Sequence, residues 1–350
     1  MPVSMARNVS VPKPPRDRHE PDKCLTSHCS RSWRKDSSMK PITPENATLG
    51  FVGIGYMGRP IAQRLLQSGF TLFAYDRTPS RADALVRSGA TVVRTIAEVA
   101  ARCNVLLSCL ATEEAVVNTL TAENGVFANL PPQSLVIEMS TISPEASLQL
   151  AKLGAQHQIQ VLDVTISGST PAAEKGALTL FGGGDPDSFH AAEPLFRAIA
   201  HKYFLLGSNG SGAKMKLVVN ALLGIGMQAI AETVALGEKA GLERGRLLDV
   251  LSETAVIAPA LRDKLQRAKL DDYSPQFPLR LMNKDFGLIL SLASAVGAQL
   301  PATEAAFEVN ARETNGGAER DFSAVILQME KRDRLVTPPQ DLSADAISRN

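Results

Sequence analysis

The chain is poor in cysteine, in aromatic residues and in net charge. Its 350 residues include 4 cysteines and 1 tryptophan, aromatic residues make up 5%, and the formal net charge is +1. Four cysteines are too few for a disulfide scaffold in a chain of this size, so a reducing compartment, the cytoplasm, is expected. A charge near zero gives no global argument for a nucleic-acid or membrane partner, and neither is expected.

Long uninterrupted apolar runs are also missing. The most apolar stretch carries Gln228, Glu232 and Glu238, so no run reaches the roughly 18 residues of a membrane helix without a polar interruption. The N-terminus has no apolar region of the secretory type. Hydrophobic residues make up 44% of the chain, which allows a substantial core, and the length fits two domains.

Residues 1–46 differ in composition from the rest of the chain. They are rich in proline, serine and basic residues and nearly lack aliphatic ones, so we predict a disordered N-terminal extension. Three interpretations remain open: an organelle transit peptide, against which three acidic residues count; a solvated tail; or a misassigned start, since Met39 opens a more ordinary sequence. Residues 333–350 are polar and are predicted to form a flexible tail.

A glycine-rich turn between a strand and a helix is the clearest local motif. The strand covers about 49–52, the helix 59–68, and a second strand 71–75. In G-x-G-x-x-G, the first glycine allows a tight turn, the second lets a pyrophosphate approach, and the third lets helix and strand pack closely. The pattern predicts a dinucleotide at this helix N-terminus, bound by Gly53, Ile54, Gly55, Tyr56, Met57 and Gly58.

The residues after the second strand bear on cofactor choice. Asp76 can accept hydrogen bonds from the adenosine ribose of NAD, whereas Arg77 can meet the 2′-phosphate of NADP. These two side chains favour different cofactors, so NAD or NADP is predicted, with NAD the favoured of the two.

Strands and helices alternate to about residue 206, and beyond it we predict helices alone. This order indicates an α/β fold: an N-terminal Rossmann-type doubly wound parallel sheet joined by a long helix to an all-α C-terminal domain. The NAD(P)-binding domain is predicted at 47–208 and the helical substrate and dimerisation domain at 209–332. Ligands bind at the carboxyl ends of parallel strands, which here include Leu110 and Thr141.

One long helix is predicted from about Gly210 to Gly241, with its start signal at Ser211. Its middle, 217–230, is apolar nearly all round and is expected to be buried. Lys216 and Asn220 interrupt that surface on one face, since they are four residues apart. A buried ammonium is costly unless it is paired or functional, so a role for the lysine competes with simple snorkelling from a helix end.

Taken together, these stretches resemble the β-hydroxyacid dehydrogenase family, the group of 3-hydroxyisobutyrate dehydrogenase and tartronate semialdehyde reductase. The resemblance covers about 49–331 and rests on the glycine turn, Ser167-Gly168-Ser169, the segment 210–220 and Lys284-Asp285. Within the family, the segment 212–220 and Phe277-Pro278-Leu279 are most similar to the glyoxylate and succinic semialdehyde reductases.

The resemblance implies a role for each matching residue. Lys216 would be the catalytic lysine, with Asn220 beside it orienting the lysine or the substrate. Substrate contacts are implied for Ser167, Gly168, Ser169, Thr141, Phe277 and Asp285. Phe277 and Lys284 would border the nicotinamide. Cofactor contacts are also expected for Leu110 and Thr141, at the carboxyl ends of their strands, in addition to the glycine turn, Asp76 and Arg77. Two departures from the family pattern, Ala111 and the loop Thr165–Ser169, leave substrate choice open.

The implied chemistry is hydride transfer between a nicotinamide and the carbon of a small carboxylate-bearing carbonyl compound, such as glyoxylate or succinic semialdehyde. The lysine ammonium would donate the proton. No metal is needed, and Cys24, His28 and Cys29 match no common zinc pattern. Two alternatives stay open: a non-catalytic nucleotide-binding scaffold, and a 6-phosphogluconate-type dehydrogenase, which should show a basic phosphate pocket. The long helix makes a homodimer or homotetramer the expected assembly.

Overall fold

The computed structural model describes residues 40–312 and 317–335. The described residues form one eight-stranded sheet of order β3-β2-β1-β4-β5-β6-β7-β8. In this sheet β6 and β7 form the one antiparallel pair, and β8 is parallel to β7, so the last two strands run opposite to the other six. The strands are β1 Thr48–Val52, β2 Thr71–Tyr75, β3 Thr91–Val92, β4 Val105–Ser108, β5 Leu135–Glu138, β6 Gln160–Ser167, β7 Leu178–Gly183 and β8 Ala200–Leu205. The predicted Rossmann-type sheet is confirmed, and its strand order reverses between β1 and β4, where such sheets bind ligands.

The sheet is apolar on both faces, which explains its continuous hydrophobic strands. Alternate residues of β4 point to opposite sides: Val105 and Leu107 join one apolar cluster, whereas Leu106 joins another. The helices of this part are α1 Gly58–Gln67, α2 Pro79–Val86, α3 Ile96–Ala101, α4 Glu113–Thr121, α5 Val126–Asn129, α6 Pro144–Gln156, α7 Thr170–Glu174, α8 Pro186–Ala191 and α9 Glu193–Ile199.

Some of these helices differ from the pattern-based prediction. The sequence pattern does not predict the short helices α5 and α7, because four or five residues are too few to show a helical period. The residues before β8 form two helices, α8 and α9, and not one continuous helix. Pro194 lies in the first turn of α9, where its missing N–H does no harm, whereas inside one continuous helix it would break the ladder.

The C-terminal part is helical, as predicted. Its elements are α10 Ser211–Lys239, α11 Arg244–Glu253, α12 Pro259–Lys269, α13 Leu279–Val296, α14 Pro301–Ala311, a 3₁₀ helix Phe322–Ala324 and α15 Val325–Leu335. They share an apolar cluster that includes Val234, Leu265 and Phe286. α10 and α13 approach closely at Gly224, where a Cβ atom would lie 2.4 Å from the ring of Phe286.

The predicted N-terminal extension, 1–46, ends too far along the chain. Ile42 is 6% exposed and belongs to the core of the sheet, and its N–H donates to the carbonyl of Ala191 at 2.8 Å. A single buried isoleucine gives no periodicity for a sequence pattern to detect. At the other end, α15 runs to residue 335, three residues beyond the predicted limit of 332. Residues 1–39 and 336–350 lie outside the described residues, and the remaining domain limits stay predictions.

The long helix α10 is not buried all round. By length and composition it could cross a membrane, but it packs against β6, β7, α13 and α15, and 44% of its most apolar window is buried. Val218 and Leu222 are 61% and 75% exposed, so the prediction that the apolar middle is buried is wrong for this face. The sheet and the neighbouring helices cover the other faces of α10 and leave this one outside.

Candidate active site

The glycine turn lies between β1 and α1. Gly53 has φ +96°, and a Cβ atom on it would lie 2.3 Å from the carbonyl oxygen of Cys109. On Gly58 a Cβ atom would lie 1.9 Å from the carbonyl oxygen of Gly53. Beside Gly55, the part of the chain that the structure describes leaves at least 4 Å of open space. Both packing glycines are therefore obligatory, and the open middle position at the N-terminus of α1 fits a pyrophosphate.

Asp76 ties the end of β2 to this turn. One carboxylate oxygen accepts the N–H of Ile54 at 2.8 Å, and the other accepts the N–H of Thr78 at 2.7 Å. The neighbouring Arg77 is exposed, as is Tyr56 within the turn. The two side chains that bear on cofactor choice therefore both lie at the rim beside the turn.

A hydrogen-bonded network holds the ends of β4 and β5 together. The N–H of Leu110 donates to Ser140 Oγ at 2.8 Å, and the N–H of Ser140 donates to Glu138 Oε1 at 2.6 Å. The hydroxyl of Ser108 donates to the other Glu138 oxygen, and burial raises the pKa of this carboxyl to about 7. Sequence patterns missed Glu138; the signal was an acidic residue inside an otherwise apolar parallel strand.

Lys216 lies in the second turn of α10 and is partly buried. Burial lowers the pKa of its ammonium to about 8; the negative charge of Asp285 opposes this shift, and the positive charge of Lys284 adds to it. The thiol of Cys109, which follows β4, also faces the ammonium. Both protonation states of Lys216 are accessible near neutral pH, which suits an acid–base group.

Asn220 lies one turn after Lys216 and is fully buried. Its Nδ2 donates to Asp285 Oδ2 at 2.5 Å, and Lys284 Nζ lies 2.8 Å from Asp285 Oδ1. Because an ionised carboxylate only accepts hydrogen bonds, this contact fixes the orientation of the Asn220 amide. Among the described residues, Asn220 Oδ1 is buried without a hydrogen-bond partner. It is a ready acceptor for an ammonium or a substrate hydroxyl.

Lys284 joins the helical part to the sheet. Its Nζ donates to the carbonyl oxygen of Thr141, just after β5, at 2.5 Å. Through this contact the structure brings together five of the predicted site residues: Lys216, Asn220, Lys284, Asp285 and Thr141.

The segment Ser167–Ser169, here called the substrate loop, connects β6 to α7. Gly168 has φ +139° and a Cβ atom there would lie 2.8 Å from a Leu178 methyl group. The loop lies beside the glycine turn, because Thr170 Oγ1 is 4.0 Å from Met57 Sδ.

Phe277 lies just before α13 and is partly buried. Its ring stands edge-on to Phe322 with centroids 5.6 Å apart, so the ring belongs in part to the helical core. Its predicted contact with a nicotinamide stays a prediction.

The start of α10 corrects one sequence prediction. Gly210, with φ +87° and no side chain, stands at the N-cap, so Ser211 is the first helical residue and not the cap. Asp163, a residue of β6, accepts the N–H of Ala213, which an N-cap side chain would otherwise satisfy, and also that of Gly210. Sequence patterns missed Asp163 because it lies 47 residues before Gly210.

Within residues 40–312 and 317–335, no group of three His, Cys, Asp or Glu side chains is placed to hold an ion. Cys24, His28 and Cys29 lie outside the described residues.

A glycine turn of the dinucleotide-binding type, a partly buried lysine of lowered pKa and a helical second domain are the features of an NAD(P)-dependent oxidoreductase. Residues 48–207 match the family described as the NAD binding domain of 6-phosphogluconate dehydrogenase. Residues 210–329 match the family described as the NAD-binding of NADP-dependent 3-hydroxyisobutyrate dehydrogenase.

Comparison with individual relatives identifies the family within this class of oxidoreductases. Glyoxylate/succinic semialdehyde reductase 1 of Arabidopsis thaliana is 34% identical over 79% of this chain and 96% of its own length. A solved Mycobacterium tuberculosis 3-hydroxyisobutyrate dehydrogenase with L-serine has TM-score 0.71 and 30% identity, and covers 81% of this chain and 99% of its own. The Cytokine-like nuclear factor N-PAC of Pongo abelii is 31% identical over 81% of this chain, but this covers 52% of that protein. The chain belongs to the β-hydroxyacid dehydrogenase family.

Proposed function

We propose that this oxidoreductase interconverts a small carboxylate-bearing semialdehyde or 2-keto acid and the corresponding hydroxyacid, with Lys216 as the proton donor for reduction. The single observation that supports this most is the position of Lys216. Its ammonium lies among Asn220, Asp285 and Lys284, and its pKa is lowered to about 8 by burial. The Arabidopsis relative named above, a glyoxylate/succinic semialdehyde reductase, supports the substrate class.

The residues of the glycine turn fit a dinucleotide, because the space beside Gly55 is open at the N-terminus of α1. In our proposal Gly53 to Gly58 hold its pyrophosphate, Asp76 and Arg77 meet the adenosine ribose, and Leu110, Thr141, Phe277 and Lys284 border its nicotinamide. When bound in reduced form, the nicotinamide supplies the hydride for the carbonyl carbon of the substrate.

The side chains of this chain supply the proton and orient the substrate. As negative charge develops on the carbonyl oxygen, the Lys216 ammonium donates a proton to it. Asn220 Oδ1 accepts a hydrogen bond from the ammonium or from the hydroxyl product, while Asp285 fixes its amide. Reduction uses the protonated lysine, so turnover should fall as pH rises through the pKa of this group.

The substitution Lys216→Met tests this role. It should lower kcat for reduction by about 10²–10⁴, the usual contribution of a positioned acid, with cofactor affinity near that of the parent. The matched control is Lys214→Met, on the same helix but exposed, which should leave kcat unchanged. Turnover of Lys216→Met within a few-fold of the parent would refute the proton-donor role.

The substrate loop offers serine hydroxyls and backbone N–H groups to one carboxylate. Removing that carboxylate leaves its donors unpaired, so we expect an uncharged aldehyde to be reduced about 10²-fold less efficiently in kcat/KM. Succinic semialdehyde and butanal, assayed side by side, provide the comparison. Equal efficiencies would show that the loop does not recognise a carboxylate.

For the cofactor we propose NAD, because the Asp76 carboxylate at the rim repels a 2′-phosphate. Initial rates with NADH and NADPH at equal concentrations decide this directly, and faster turnover with NADPH would contradict it. We also propose a cytoplasmic location, supported by the free thiols of Cys103 and Cys109.

A homodimer or homotetramer is supported by the exposed apolar face of α10. Met215, Val218, Leu222 and Leu236 are exposed at successive intervals of three, four and fourteen residues, a spacing that keeps them on one face. Analytical ultracentrifugation of the full chain tests this assembly, and a monomer at micromolar concentration would contradict it.

The competing function is a non-catalytic nucleotide-binding scaffold. The similarity to the nuclear factor N-PAC is the reason to test this alternative. A scaffold has no use for a partly buried ammonium of lowered pKa. Turnover of any carboxylate-bearing carbonyl compound by the parent, lost in Lys216→Met, excludes it.

A further inference from the structure

Strand β6 carries two buried polar side chains that no proposed catalytic step uses. Asp163 and Thr165 are 2% and 1% exposed. Side chains two residues apart point to the same face of a strand, so Asp163, Thr165 and Ser167 share one face of β6. Ser167 begins the substrate loop, which places all three on the side of the sheet where α10 starts.

The first two of these side chains hold the first turn of α10. Asp163 Oδ1 accepts the N–H of Gly210 at 2.9 Å, and Oδ2 accepts the N–H of Ala213 at 3.0 Å. The hydroxyl of Thr165 lies 2.9 Å from the carbonyl oxygen of Gly212, to which it donates. A carboxylate at a helix N-terminus also interacts favourably with the helix dipole. The sheet therefore supplies the cap that Gly210 lacks.

The contact is close as well as polar. A Cβ atom at Gly212 would lie 2.5 Å from the carbonyl oxygen of Asp163 and 2.4 Å from that of Phe181. The backbone of α10 thus rests directly on β6 and β7, with no side chain between them. Such packing leaves little freedom for the helix to slide along its axis.

Lys216 follows Ala213 by three residues, a distance of about 4.5 Å along the helix axis. We propose that Asp163 and Thr165 are positioning residues that fix the catalytic lysine relative to the substrate loop, which continues the same strand. This inference rests on the proposed function of Lys216. A local serine or asparagine cap would satisfy the N–H of Ala213, but it would not couple the helix to β6.

The size of the expected effect comes from the sensitivity of proton transfer to geometry. A displacement of about 1 Å in a reacting group can cost about 10²-fold in rate. Asp163→Asn keeps the side-chain shape but places an amide donor against one of the two N–H groups, so the first turn of α10 must shift. Thr165→Val is nearly isosteric and removes the hydroxyl, which lies 2.9 Å from the carbonyl oxygen of Gly212 and 3.3 Å from that of Phe181.

The experiment measures kcat, the KM for each substrate, the pH dependence of kcat and the melting temperature of the full-length variants. We expect kcat to fall about 10- to 10²-fold in Asp163→Asn and less in Thr165→Val, with cofactor KM nearly unchanged. The alkaline limb of kcat should also move, because a displaced lysine changes its distances to Asp285, Lys284 and Cys109, the groups that face it.

The matched control is Asp185→Asn. Asp185 caps α8, and not α10, through the N–H of Ser188 at 2.8 Å. The melting temperature of Asp185→Asn should fall, because a helix cap is lost, whereas kcat and the alkaline limb of its pH dependence should stay unchanged.

The possible outcomes separate the two proposals. The inference is overturned if Asp163→Asn and Thr165→Val both keep the kcat and the alkaline pH limb of the parent and lose only melting temperature. Asp163 would then be a structural cap. If Asp163→Asn does not fold, Thr165→Val decides the question in the same way. Parent-like turnover in Lys216→Met would instead overturn the proposed function itself, whatever the β6 variants show.

Discussion

A buried ion pair in the helical domain yields a sharp stability prediction for Lys264→Met. Lys264 of α12 is 5% exposed, and its Nζ lies 2.9 Å from Asp321 Oδ2 and 2.8 Å from Gln276 Oε1. The ammonium also lies 5.3 Å from the centroid of the Phe322 ring. Asp321 in turn accepts the N–H groups of Gln276 and Phe277, each at 3.1 Å, so the pair fastens the segment that leads into α13.

The burial of this ion pair sets the expected loss in the free energy of unfolding. Removing one member of a buried ion pair costs about 3–5 kcal/mol, because the remaining charge is left uncompensated. Methionine keeps most of the side-chain volume, and Asp321 retains its backbone donors and Ser323, so we expect the lower end, about 3 kcal/mol. Lys269→Met on the same helix is the control. Lys269 Nζ lies only 2.5 Å from Asp249 Oδ2, but the two side chains are 38% and 47% exposed, so its loss should cost less than about 1 kcal/mol.

Urea unfolding of the full-length chain, monitored by far-ultraviolet circular dichroism, measures both variants. The unfolding midpoint of Lys264→Met should fall clearly below that of Lys269→Met, although the exposed pair has the shorter contact. Equal midpoints for the two lysine variants would refute the argument that burial, and not contact distance, sets the cost.

The remaining predictions concern pH and the N-terminal boundary. The charge of Asp285 raises the pKa of the α10 lysine and that of Lys284 lowers it. The alkaline limb of reductive turnover should therefore move to lower pH in Asp285→Asn and to higher pH in Lys284→Gln; shifts in the same direction would contradict the assigned electrostatics. Deleting 1–39 should leave the melting temperature nearly unchanged, whereas deleting 1–46 should lower it, because Ile42 is buried in the sheet core. Differential scanning fluorimetry compares the two, and equal melting temperatures would show that Ile42 contributes nothing.

Local rules explain why much of the fold could be predicted from the amino-acid sequence. The turn from Gly53 to Gly58 carries its own constraint, since a side chain on either end glycine would collide with backbone. Parallel strands buried on both faces must be continuously apolar, so their order along the chain is visible without a structure. The four-residue spacing of Lys216 and Asn220 likewise defines a shared helix face.

Tertiary structure alone decided which distant groups meet. Asn220 and Asp285 are 65 residues apart, Lys284 and Thr141 are 143 apart, and no local period links them. The buried carboxyl of Asp163 is explained only by the packing of α10 against β6, because its hydrogen-bond donors belong to that helix. Tertiary packing also decided which face of α10 is exposed. The sequence shows that the helix is apolar nearly all round, but only the neighbouring elements determine which of its faces they cover.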